Sequence, residues 1–349
     1  MSEEVCCWTN KRVLVTGGAG FIGSAIVRRL ERERAIVTVL DDGSTKTSSS
    51  ILYRPAGAVT GSITDHKMVE RLICGDSRFH AQEYVIHCAA RNIIQSNANP
   101  RRDLNVNAGG TLNVLLAAKR SDIKRLVYTS SASVYGNQSR LPIPEDAPLE
   151  CLSAYAASKA AAEHYCESFH KVHHVPVAVL RYSNVYGAGQ RPENPYCGVI
   201  GKFMEASASG QPLKIHGDGE QTRDYIYIDD VVEATLLALG SPAAEGRIYN
   251  VGTGIETSVN ELAALIDRLP NRRGSATEHV DNRDIDNIRR RAVDCSRIRD
   301  ELGWTPEMKL EKGLQNTSLI NAVEELSEQI LQEQRRPCRG KDGDPQCGP

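Results

Sequence analysis

The sequence predicts an α/β protein built on a doubly wound parallel sheet, and two observations support this. Short apolar runs have the length and composition of buried strands, and they lie at 12–16, 35–40, 84–89, 124–130 and 176–181. Stretches with helical periodicity separate these runs, near 21–33, 65–74, 103–120 and 152–172. Strands that alternate with helices form parallel sheets with helices on both faces. We therefore predict a sheet domain over residues 11–181, and we leave open that its sheet recruits segments from later in the chain.

The regular alternation of strands and helices ends at about residue 182. Short strands at 213–215 and 248–250 alternate there with loops and with helices near 198–209, 229–239, 258–269 and 296–302. This predicts a smaller mixed α/β C-terminal domain over 182–330, which caps the carboxyl ends of the strands and binds the substrate. Residues 1–10 and 333–349 lack periodicity and are predicted to be flexible tails.

The first predicted strand runs into a glycine turn. The stretch VTGGAGFIG places Gly17, Gly18, Gly20 and Gly23 between that strand and an amphipathic helix. Glycine lets main-chain N–H groups approach an anion closely, and a helix N-terminus favours negative charge. The turn fits both G-x-G-x-x-G and its G-x-x-G-x-x-G variant, so it predicts a cradle for a dinucleotide pyrophosphate. Tight packing is the alternative explanation for the glycines.

The second strand ends in Asp41, about 20 residues past the glycine turn. A carboxylate at this position accepts hydrogen bonds from the adenosine ribose of NAD and repels a 2′-phosphate. The glycine turn and Asp41 together predict that the protein binds NAD in preference to NADP. A turn acid that merely ends the strand is the alternative.

Composition excludes several classes of function. The 349 residues include 42 Lys plus Arg and 44 Asp plus Glu, a net charge of −2, which gives no reason to expect nucleic acid or an anionic membrane. No run of 18 apolar residues occurs, and the first residues are acidic, so we expect a cytoplasmic protein with neither a membrane span nor a secretory signal. The ten cysteines show no metal-ligand spacing; we expect reduced, mostly buried thiols and no metal site.

The strongest chemical signal is Tyr155-Ala-Ala-Ser-Lys159 in an alanine-rich helix. Spacing of four places both side chains on one face, where an ammonium favours the phenolate and lowers the tyrosine pKa. A tyrosine tuned in this way is a general base. The strand before this helix ends in Ser131, at the sheet edge that faces the ligand crevice. A surface pair on a helix is the alternative explanation for the spacing.

These motifs together resemble the extended short-chain dehydrogenase/reductase family, and within it the nucleotide-sugar epimerases of UDP-glucose 4-epimerase type. The resemblance runs from about residue 12 to 306. It is carried by TGGAGFIG, VIHCAA, N-x-x-G-T at 107–111, YTSSASVYG, YAASK, LRYSNVYG, GDGEQTRDYIYIDDV, YNVGTG and LGWTP. It implies a Rossmann fold.

The resemblance also implies roles for individual residues. Ser131, Tyr155 and Lys159 match the catalytic triad. The implied NAD contacts are Gly17, Gly20, Phe21, Ile22, Gly23, Asp41, Ala89, Asn107, Tyr155 and Lys159. Asn184, Arg223 and Arg283 match positions that hold the nucleotide diphosphate. Ser62 replaces the aspartate with which many relatives read adenine, so the adenine contact stays open.

The implied reaction is NAD-dependent 4-epimerisation of a UDP-sugar through a transient 4-keto intermediate, with Tyr155 moving the proton. Candidate sugars are glucose/galactose, glucuronate/galacturonate and the N-acetyl forms. A 4,6-dehydratase typically carries an Asp-Glu pair directly after the triad Ser/Thr, and a UDP-glucuronate decarboxylase carries a glutamate before VYG. This sequence has Ala132-Ser133-Val134 there, which favours an epimerase. A non-catalytic NAD-sensing protein is the alternative outside the enzymes.

Two further features concern the sugar and the assembly. Arg191 and Arg291 fall near the expected sugar pocket, and each either pairs with a uronate carboxylate or faces solvent. The helices near 103–120 and 152–172 carry apolar residues on more of their surface than one sheet face needs, which with the resemblance predicts a homodimer built on a four-helix interface. The residues taken for that interface are Val114, Leu115, Ala118, Ala161, Tyr165 and Phe169.

Overall fold

The computed structural model describes residues 7–44, 57–190, 198–270, 274–282 and 287–334. The strands are β1 (Arg12–Thr16), β2 (Ile36–Asp41), β3 (Ala58–Thr60), β4 (Tyr84–His87), β5 (Arg125–Ser131), β6 (Val177–Tyr182), β7 (Asn184–Tyr186), β8 (Leu213–His216), β9 (Thr222–Arg223), β10 (Tyr225–Tyr227), β11 (Ile248–Val251), β12 (Thr257–Ser258) and β13 (Thr277–Val280).

The helices are α1 (Phe21–Arg32), α2 (His66–Cys74), α3 (Ile93–Ala98), α4 (Pro100–Asp103), α5 (Thr111–Lys119), α6 (Ala154–His173), α7 (Val199–Ser209), α8 (Ile228–Gly240), α9 (Val259–Asp267), α10 (Ser296–Leu302) and α11 (Leu310–Gln334). A π-helical segment, Leu104–Gly110, joins α4 to α5, and short 3₁₀ turns occupy Ala132–Tyr135 and Pro242–Ala244.

The central sheet is parallel and doubly wound, as the sequence predicts. Among the described residues it has seven strands in the order β3-β2-β1-β4-β5-β6-β11. Val15 of β1 pairs with Val39 of β2 on one side and with Ile86 of β4 on the other. The winding therefore changes direction between β1 and β4. Such a switch opens a crevice at the carboxyl ends of the strands, where ligands bind.

Two apolar layers cover the sheet. Leu14 of β1 contributes to one layer, while its neighbours Val13 and Val15 contribute to the other, as the alternation of side chains along a strand requires. Helices α1 and α8 pack on one face, and α2, α5 and α6 pack on the opposite face. Full burial of one such aliphatic side chain contributes roughly 1.5–3 kcal/mol, so these layers hold the crevice edge in place.

One segment from beyond residue 181 joins the central sheet. Strand β11, within the range assigned to the C-terminal domain, pairs in parallel with β6 and completes the sheet, which is the recruitment of a later segment that the sequence analysis left open. The remaining strands form two-stranded sheets in the described part of the chain, β7 with β10, β8 with β13 and β9 with β12. Strand β3 and helix α11 were not predicted; β3 has only three residues and α11 lacks a clear apolar stripe.

The predicted N-terminal tail is shorter than expected. Trp8 is buried and packs edge-on against Tyr84 with ring centroids 5.1 Å apart, and the Asn10 amide donates to the Arg34 carbonyl at 2.9 Å. Burial of the indole fixes residues 7–10 to the sheet domain, so they are not flexible. Of the predicted C-terminal tail, residues 333 and 334 belong to α11 and the remainder lies outside the described residues.

No helix within the described ranges is long and apolar enough to cross a membrane.

Six cysteines fall within the described ranges, and all six are free thiols. Cys7 and Cys151 are exposed, so the expectation of mostly buried cysteines is wrong for these two. A search of the described residues finds no group of three or more His, Cys, Asp or Glu side chains that is able to hold a metal ion.

The apolar residues assigned to a dimer interface are largely internal. Val114, Leu115 and Ala118 are buried in the layer between α5, α2 and the sheet, and Phe169 is buried beside them. They pack within one protomer because the sheet face is wide enough to accept them, so they are not available for an interface. The large apolar side chains that α5, α6 and the π-helical segment do expose are Leu104, Leu116, Tyr165 and Val172.

Candidate active site

The glycine turn lies in the crevice, between β1 and α1. Gly17 has φ of +69°, and a Cβ there would lie 2.6 Å from the Ala89 amide nitrogen after β4. A Cβ on Gly23 would lie 2.1 Å from the Gly17 carbonyl oxygen. Both distances exclude a side chain. The glycines are therefore required for close packing of the turn against α1 and β4, and the same packing leaves the main chain open to a ligand.

Helix α1 begins at this turn with its amide groups directed into the crevice. Gly20 is the N-cap residue, and the first turn contains no acidic side chain. Phe21 and Ile22 form that turn and line the crevice. The N–H groups at a helix N-terminus lack intrahelical partners, and the helix dipole favours an anion there. This end of α1 is suited to a pyrophosphate.

Asp41 stands at the carboxyl end of β2 and faces the turn. Its Oδ2 accepts from the Ala19 amide at 3.0 Å and its Oδ1 from the Gly43 amide at 2.8 Å. Burial raises the pKa of this carboxyl, and the two amide hydrogen bonds oppose that rise. Ser62 lies farther along the same end, where its hydroxyl contacts the Thr64 hydroxyl at 2.9 Å. Two main-chain amides thus hold Asp41 at the end of the cavity that contains the glycine turn.

Ser131, Tyr155 and Lys159 meet at the opposite end of the crevice. Ser131 ends β5, and Tyr155 and Lys159 lie one turn apart near the start of α6. Ser153 caps α6 by accepting from the Ala156 amide at 3.1 Å. The buried Lys159 ammonium donates to the Thr129 carbonyl at 2.8 Å, which fixes α6 to β5. The three side chains named from the sequence are therefore brought together.

The electrostatics of this group differ from the sequence expectation. Burial raises the pKa of Tyr155 to about 12, and the Ser131 hydroxyl and the Arg291 charge oppose that rise. Lys159 Nζ lies 6.0 Å from the centroid of the Tyr155 ring and is hydrogen-bonded to a carbonyl instead. Burial lowers the pKa of Lys159 to about 8. The expectation that Lys159 lowers the phenol pKa is wrong for the protein without a cofactor, because desolvation outweighs the distant ammonium.

Asn107 lies behind the wall of the crevice rather than in it. It is buried in the π-helical segment, where Oδ1 accepts from the Arg91 amide at 2.7 Å. Its Nδ2 donates to Asp103 at 2.6 Å, Ser158 at 3.1 Å and the Arg91 carbonyl at 3.2 Å. These bonds engage both polar atoms. The geometry suits a supporting role for Asn107 next to Lys159, and its contact with the cofactor stays a prediction.

The crevice is a cavity of about 430 Å³ that connects the glycine turn to the triad. Its wall includes most of the residues predicted from sequence: Gly17, Gly20, Phe21, Ile22, Gly23, Asp41, Ser62, Ala89, Ser131, Tyr155, Lys159 and Asn184. The wall fits NAD. A side-chain-free turn and an uncapped helix N-terminus suit the pyrophosphate, and Asp41 suits a ribose with a free 2′-hydroxyl.

A second cavity of about 490 Å³ adjoins the first, and Asn184 and Gly198 line both. Arg223 lines the second cavity; its Nη1 donates to the Thr222 and Ile288 carbonyls, each at 2.8 Å. Two main-chain bonds thus orient a mostly buried guanidinium at the cavity wall. Arg191 and Arg283, also predicted to bind substrate, lie outside the described residues.

Arg291 is buried, with 3% of its surface exposed. Its charge lies close enough to Tyr155 to lower the pKa of the phenol. Of the two alternatives given for this residue, exposure to solvent is therefore wrong. Its neighbour Arg290 is exposed and pairs with Glu256.

Sequence reasoning missed the carboxylates that support the site. Asp224 is fully buried and accepts from the Thr253 amide at 2.8 Å, the Thr253 hydroxyl at 2.6 Å and the Val293 amide at 3.2 Å. Glu163 is buried one turn past Lys159 and pairs with Arg181 at 2.7 Å. The sequence offered two signals for these residues. Asp224 directly follows Arg223, and Glu163 lies four residues after Lys159.

Comparison with known proteins places these features in a family. A model of the NAD-dependent epimerase/dehydratase family matches residues 13–252. A putative UDP-glucose 4-epimerase of Methanocaldococcus jannaschii is 38% identical over 304 residues, which cover 86% of this chain and 95% of that protein.

Two solved structures show similar folds. The UDP-glucose 4-epimerase of Thermotoga maritima, solved with UDP-glucose, gives a TM-score of 0.83 at 34% identity and covers 91% of this chain and 99% of its own. The dTDP-glucose 4,6-dehydratase of Streptomyces venezuelae, solved with NAD, gives 0.80 at 29% identity and covers 89% and 97%.

Proposed function

Since this chain belongs to the NAD-dependent epimerase/dehydratase family, we propose that it inverts the configuration at C4 of a UDP-linked sugar. The observation that carries the proposal is the composition of the cavity wall around Tyr155. Ser131, Tyr155 and Lys159 line that end, while the carboxylates among the described lining residues, Asp41 and Asp42, lie at the end of β2 near the glycine turn. C4 epimerisation needs one base and a hydride acceptor, and it needs no carboxylate beside the sugar.

Tyr155 moves the proton in the proposed reaction. The glycine turn and Asp41 would hold NAD⁺, which would supply the hydride acceptor for the sugar C4 and a positive charge for the phenol. Tyr155 Oη takes the proton of the 4-hydroxyl, and Ser131 Oγ holds the sugar oxygen as the carbonyl forms. After the 4-keto sugar has rotated, the hydride would return to the opposite face of C4 while Tyr155 gives its proton back to the 4-oxygen, so the C–H bond broken first is formed again with inverted configuration. No net oxidation occurs.

Lys159 has two tasks in this scheme. Its ammonium is hydrogen-bonded to the Thr129 carbonyl, so it fixes the distance between α6 and the end of β5. Its remaining protons are available to a ribose hydroxyl of the cofactor. Because the pKa of Tyr155 is raised to about 12 without a ligand, the phenol becomes a useful base only when positive charge is added near it.

The second cavity is proposed to hold the nucleotide. Arg223 is oriented by two carbonyls at the cavity wall, and its fixed positive charge suits a diphosphate. Asn184 lines both cavities, so it lies where the sugar and the diphosphate join. Binding of the remote nucleotide keeps the reactive 4-keto sugar from leaving while it rotates. Arg191 and Arg283 remain predicted substrate contacts.

A 4,6-dehydratase on the same scaffold is the closest alternative, since one of the similar structures is such an enzyme. That reaction must remove the C5 proton and expel the C6 hydroxyl, which takes an additional acid and base. Ser131 is followed by Ala132 and Ser133, and Ser133 is engaged with Ser131 at 3.1 Å. The residues next to the triad therefore favour the epimerase.

The test is direct product analysis. The full chain is incubated with NAD and a panel of UDP-, dTDP- and GDP-sugars, and the anomeric protons are followed by NMR. We expect the C4 epimer of a UDP-sugar without accumulation of NADH. A 4-keto-6-deoxy sugar or CO2 as the main product would reject the proposal, and NAD binding with no turnover of any sugar would favour a sensing protein.

A further inference from the structure

We propose that the sugar end of the cavity selects a UDP-sugar with a carboxylate at C6, a hexuronate, and that Arg91 is the specificity-determining residue which pairs with it. Arg291 supplies a second positive charge at the same end. The inference rests on the proposed epimerase function, because it concerns which sugar the same site accepts.

Arg91 is built into the cavity wall. It follows β4 and lines the same cavity as Ser131 and Tyr155. Its main chain is held from both sides by one side chain, since Asn107 accepts from the Arg91 amide at 2.7 Å and donates to the Arg91 carbonyl at 3.2 Å. This two-point contact, made by a buried amide, fixes the direction in which the Arg91 side chain leaves the wall.

The guanidinium of Arg91 retains unused donors. Its Nη2 donates to the Gln95 carbonyl at 3.4 Å, which orients the group from the wall side. Its Nε is buried and has no hydrogen-bond partner among the described residues. The Nε atom is closed off from the cavity, so the donors left for a bound anion are those of the terminal amino groups, whose geometry matches a carboxylate. The wall is thus prepared for an anion at this point.

Among the described residues, three positive side chains lie near the triad. Lys159 lies beside the Tyr155 ring, the charge of the buried Arg291 acts on the Tyr155 phenol, and Asn107 bridges the Arg91 main chain to Ser158 on α6. Of the carboxylates that the structure describes near this group, Asp103 and Glu163 are buried and do not line the cavity. Asp103 accepts from Ser96 and Asn107, and Glu163 is paired with Arg181. Desolvated positive charge is stabilised by a bound anion, so this end favours a negatively charged sugar over a neutral one.

The chemistry of the sugar places its carboxylate correctly. C6 is attached to C5, which neighbours C4, so a group that recognises a C6 carboxylate must lie near the residue that deprotonates the 4-hydroxyl. Arg91 and Tyr155 line one cavity, and Asn107 bonds both to the Arg91 amide and to Ser158, three residues after Tyr155, so the two residues satisfy this condition. The pyrophosphate of the cofactor is the competing anion, but its expected place is the glycine turn and the start of α1.

The experiment compares UDP-glucuronate with UDP-glucose and UDP-N-acetylglucosamine, using the full chain with NAD and following the anomeric protons by NMR. We expect kcat/KM for UDP-glucuronate to exceed that for UDP-glucose by roughly tenfold or more, as one charge-assisted hydrogen-bonded pair provides. Arg91→Gln should reduce this ratio by about tenfold, and Arg91→Lys should restore part of it. Arg291→Gln should also reduce the ratio.

Two variants are matched controls for the loss of a positive charge. Arg101→Gln removes an exposed arginine from α4, and Arg290→Gln removes the exposed neighbour of Arg291. Both should leave the ratio unchanged. A wild-type preference for UDP-glucose would overturn the inference. So would an equal loss with both sugars in Arg91→Gln together with weaker NAD binding, since Arg91 would then serve the cofactor. Absence of epimers from every sugar would instead reject the proposed function.

Discussion

The ammonium of Lys159 donates to the Thr129 carbonyl at 2.8 Å, so the helix that carries Tyr155 is joined to the strand that carries Ser131. The bond lies entirely inside the protein, where an unpaired ammonium would be unstable. It connects α6 and β5 near the point where both approach the cavity. The relative position of Tyr155 and Ser131 therefore depends on this bond between Lys159 and Thr129, although neither Tyr155 nor Ser131 takes part in it.

The pH dependence of stability tests the burial of Lys159. Its pKa is lowered to about 8 in the folded protein and is near 10.4 in an unfolded chain. Between these values the unfolded state binds the additional proton, so this group makes the fold more stable as pH rises from about 8 to about 10.4. The free energies of unfolding of the wild type and of Lys159→Met are measured with urea, without cofactor. From pH 8 to about 10.4 the wild type should gain roughly 1–3 kcal/mol relative to the variant.

The control for that measurement is Lys171→Met. Lys171 lies on the same helix but is exposed and paired with Glu167. The difference in free energy of unfolding between Lys171→Met and the wild type should stay nearly constant over the same pH range. A pH-independent difference for Lys159→Met would mean that the ammonium is not desolvated.

Replacement of Tyr155 by phenylalanine should separate turnover from binding. The ring still packs in the cavity while the proton acceptor is lost, so kcat should fall by about a hundredfold or more with the affinity for UDP-sugar nearly unchanged. Tyr165→Phe on the exposed face of α6 is the control and should retain the wild-type rate. If Tyr155→Phe kept more than about a tenth of the wild-type kcat, another group would be the base.

Cofactor preference should depend on Asp41. The carboxylate is fixed by the Ala19 and Gly43 amides, so it cannot turn away from a 2′-phosphate without losing both bonds. We expect NAD to bind at least about tenfold more tightly than NADP, measured by calorimetry, because two negative groups would be brought together in a partly buried site.

Asp41→Asn should lower the ratio of the affinity for NAD to the affinity for NADP. Asp122→Asn, at an exposed position, should leave this ratio unchanged. Equal affinities of the wild type for the two cofactors would contradict the assignment of Asp41 to the ribose.

The predicted homodimer should depend on the apolar side chains that α5 and α6 leave exposed. Leu116 and Tyr165 are each 43% exposed, and with Leu104 and Val172 they replace the buried residues first assigned to the interface. Leu116→Glu should convert the dimer to a monomer in light scattering, since a charge would be buried at the contact. Leu319→Glu on α11, another exposed leucine, should not. A wild-type monomer at micromolar concentration would rule the dimer out.

Local patterns predicted the sheet and the catalytic end of the cavity well. Gly17, Asp41, Ser131, Tyr155 and Lys159 each lie at a junction between a strand and a helix or within one helical turn, where spacing along the chain fixes spacing in space. Each of these residues lines the cavity. Their positions therefore follow from secondary structure alone.

Features set by long-range packing could not be predicted in this way. Strand β11 joins β6 across about 65 intervening residues, and the buried state of Arg291 depends on segments that are distant in sequence. The pKa of Tyr155 was expected to fall because Lys159 is at i+4, but desolvation raises it, and burial is not readable from spacing. The hydrogen bonds of Asn107 to Arg91 and Ser158 were not predictable either, because both partners lie on other elements.

The measurement that tests the central claim most directly is the fate of deuterium placed at C4 of the UDP-sugar. The full chain is incubated with NAD and the C4-deuterated substrate, and the product is analysed by NMR and mass spectrometry. If the enzyme is a 4-epimerase, the deuterium stays at C4 of a product with inverted configuration, and the mass of the sugar does not change. Transfer of the deuterium to C6 with loss of water would identify a 4,6-dehydratase and contradict the account.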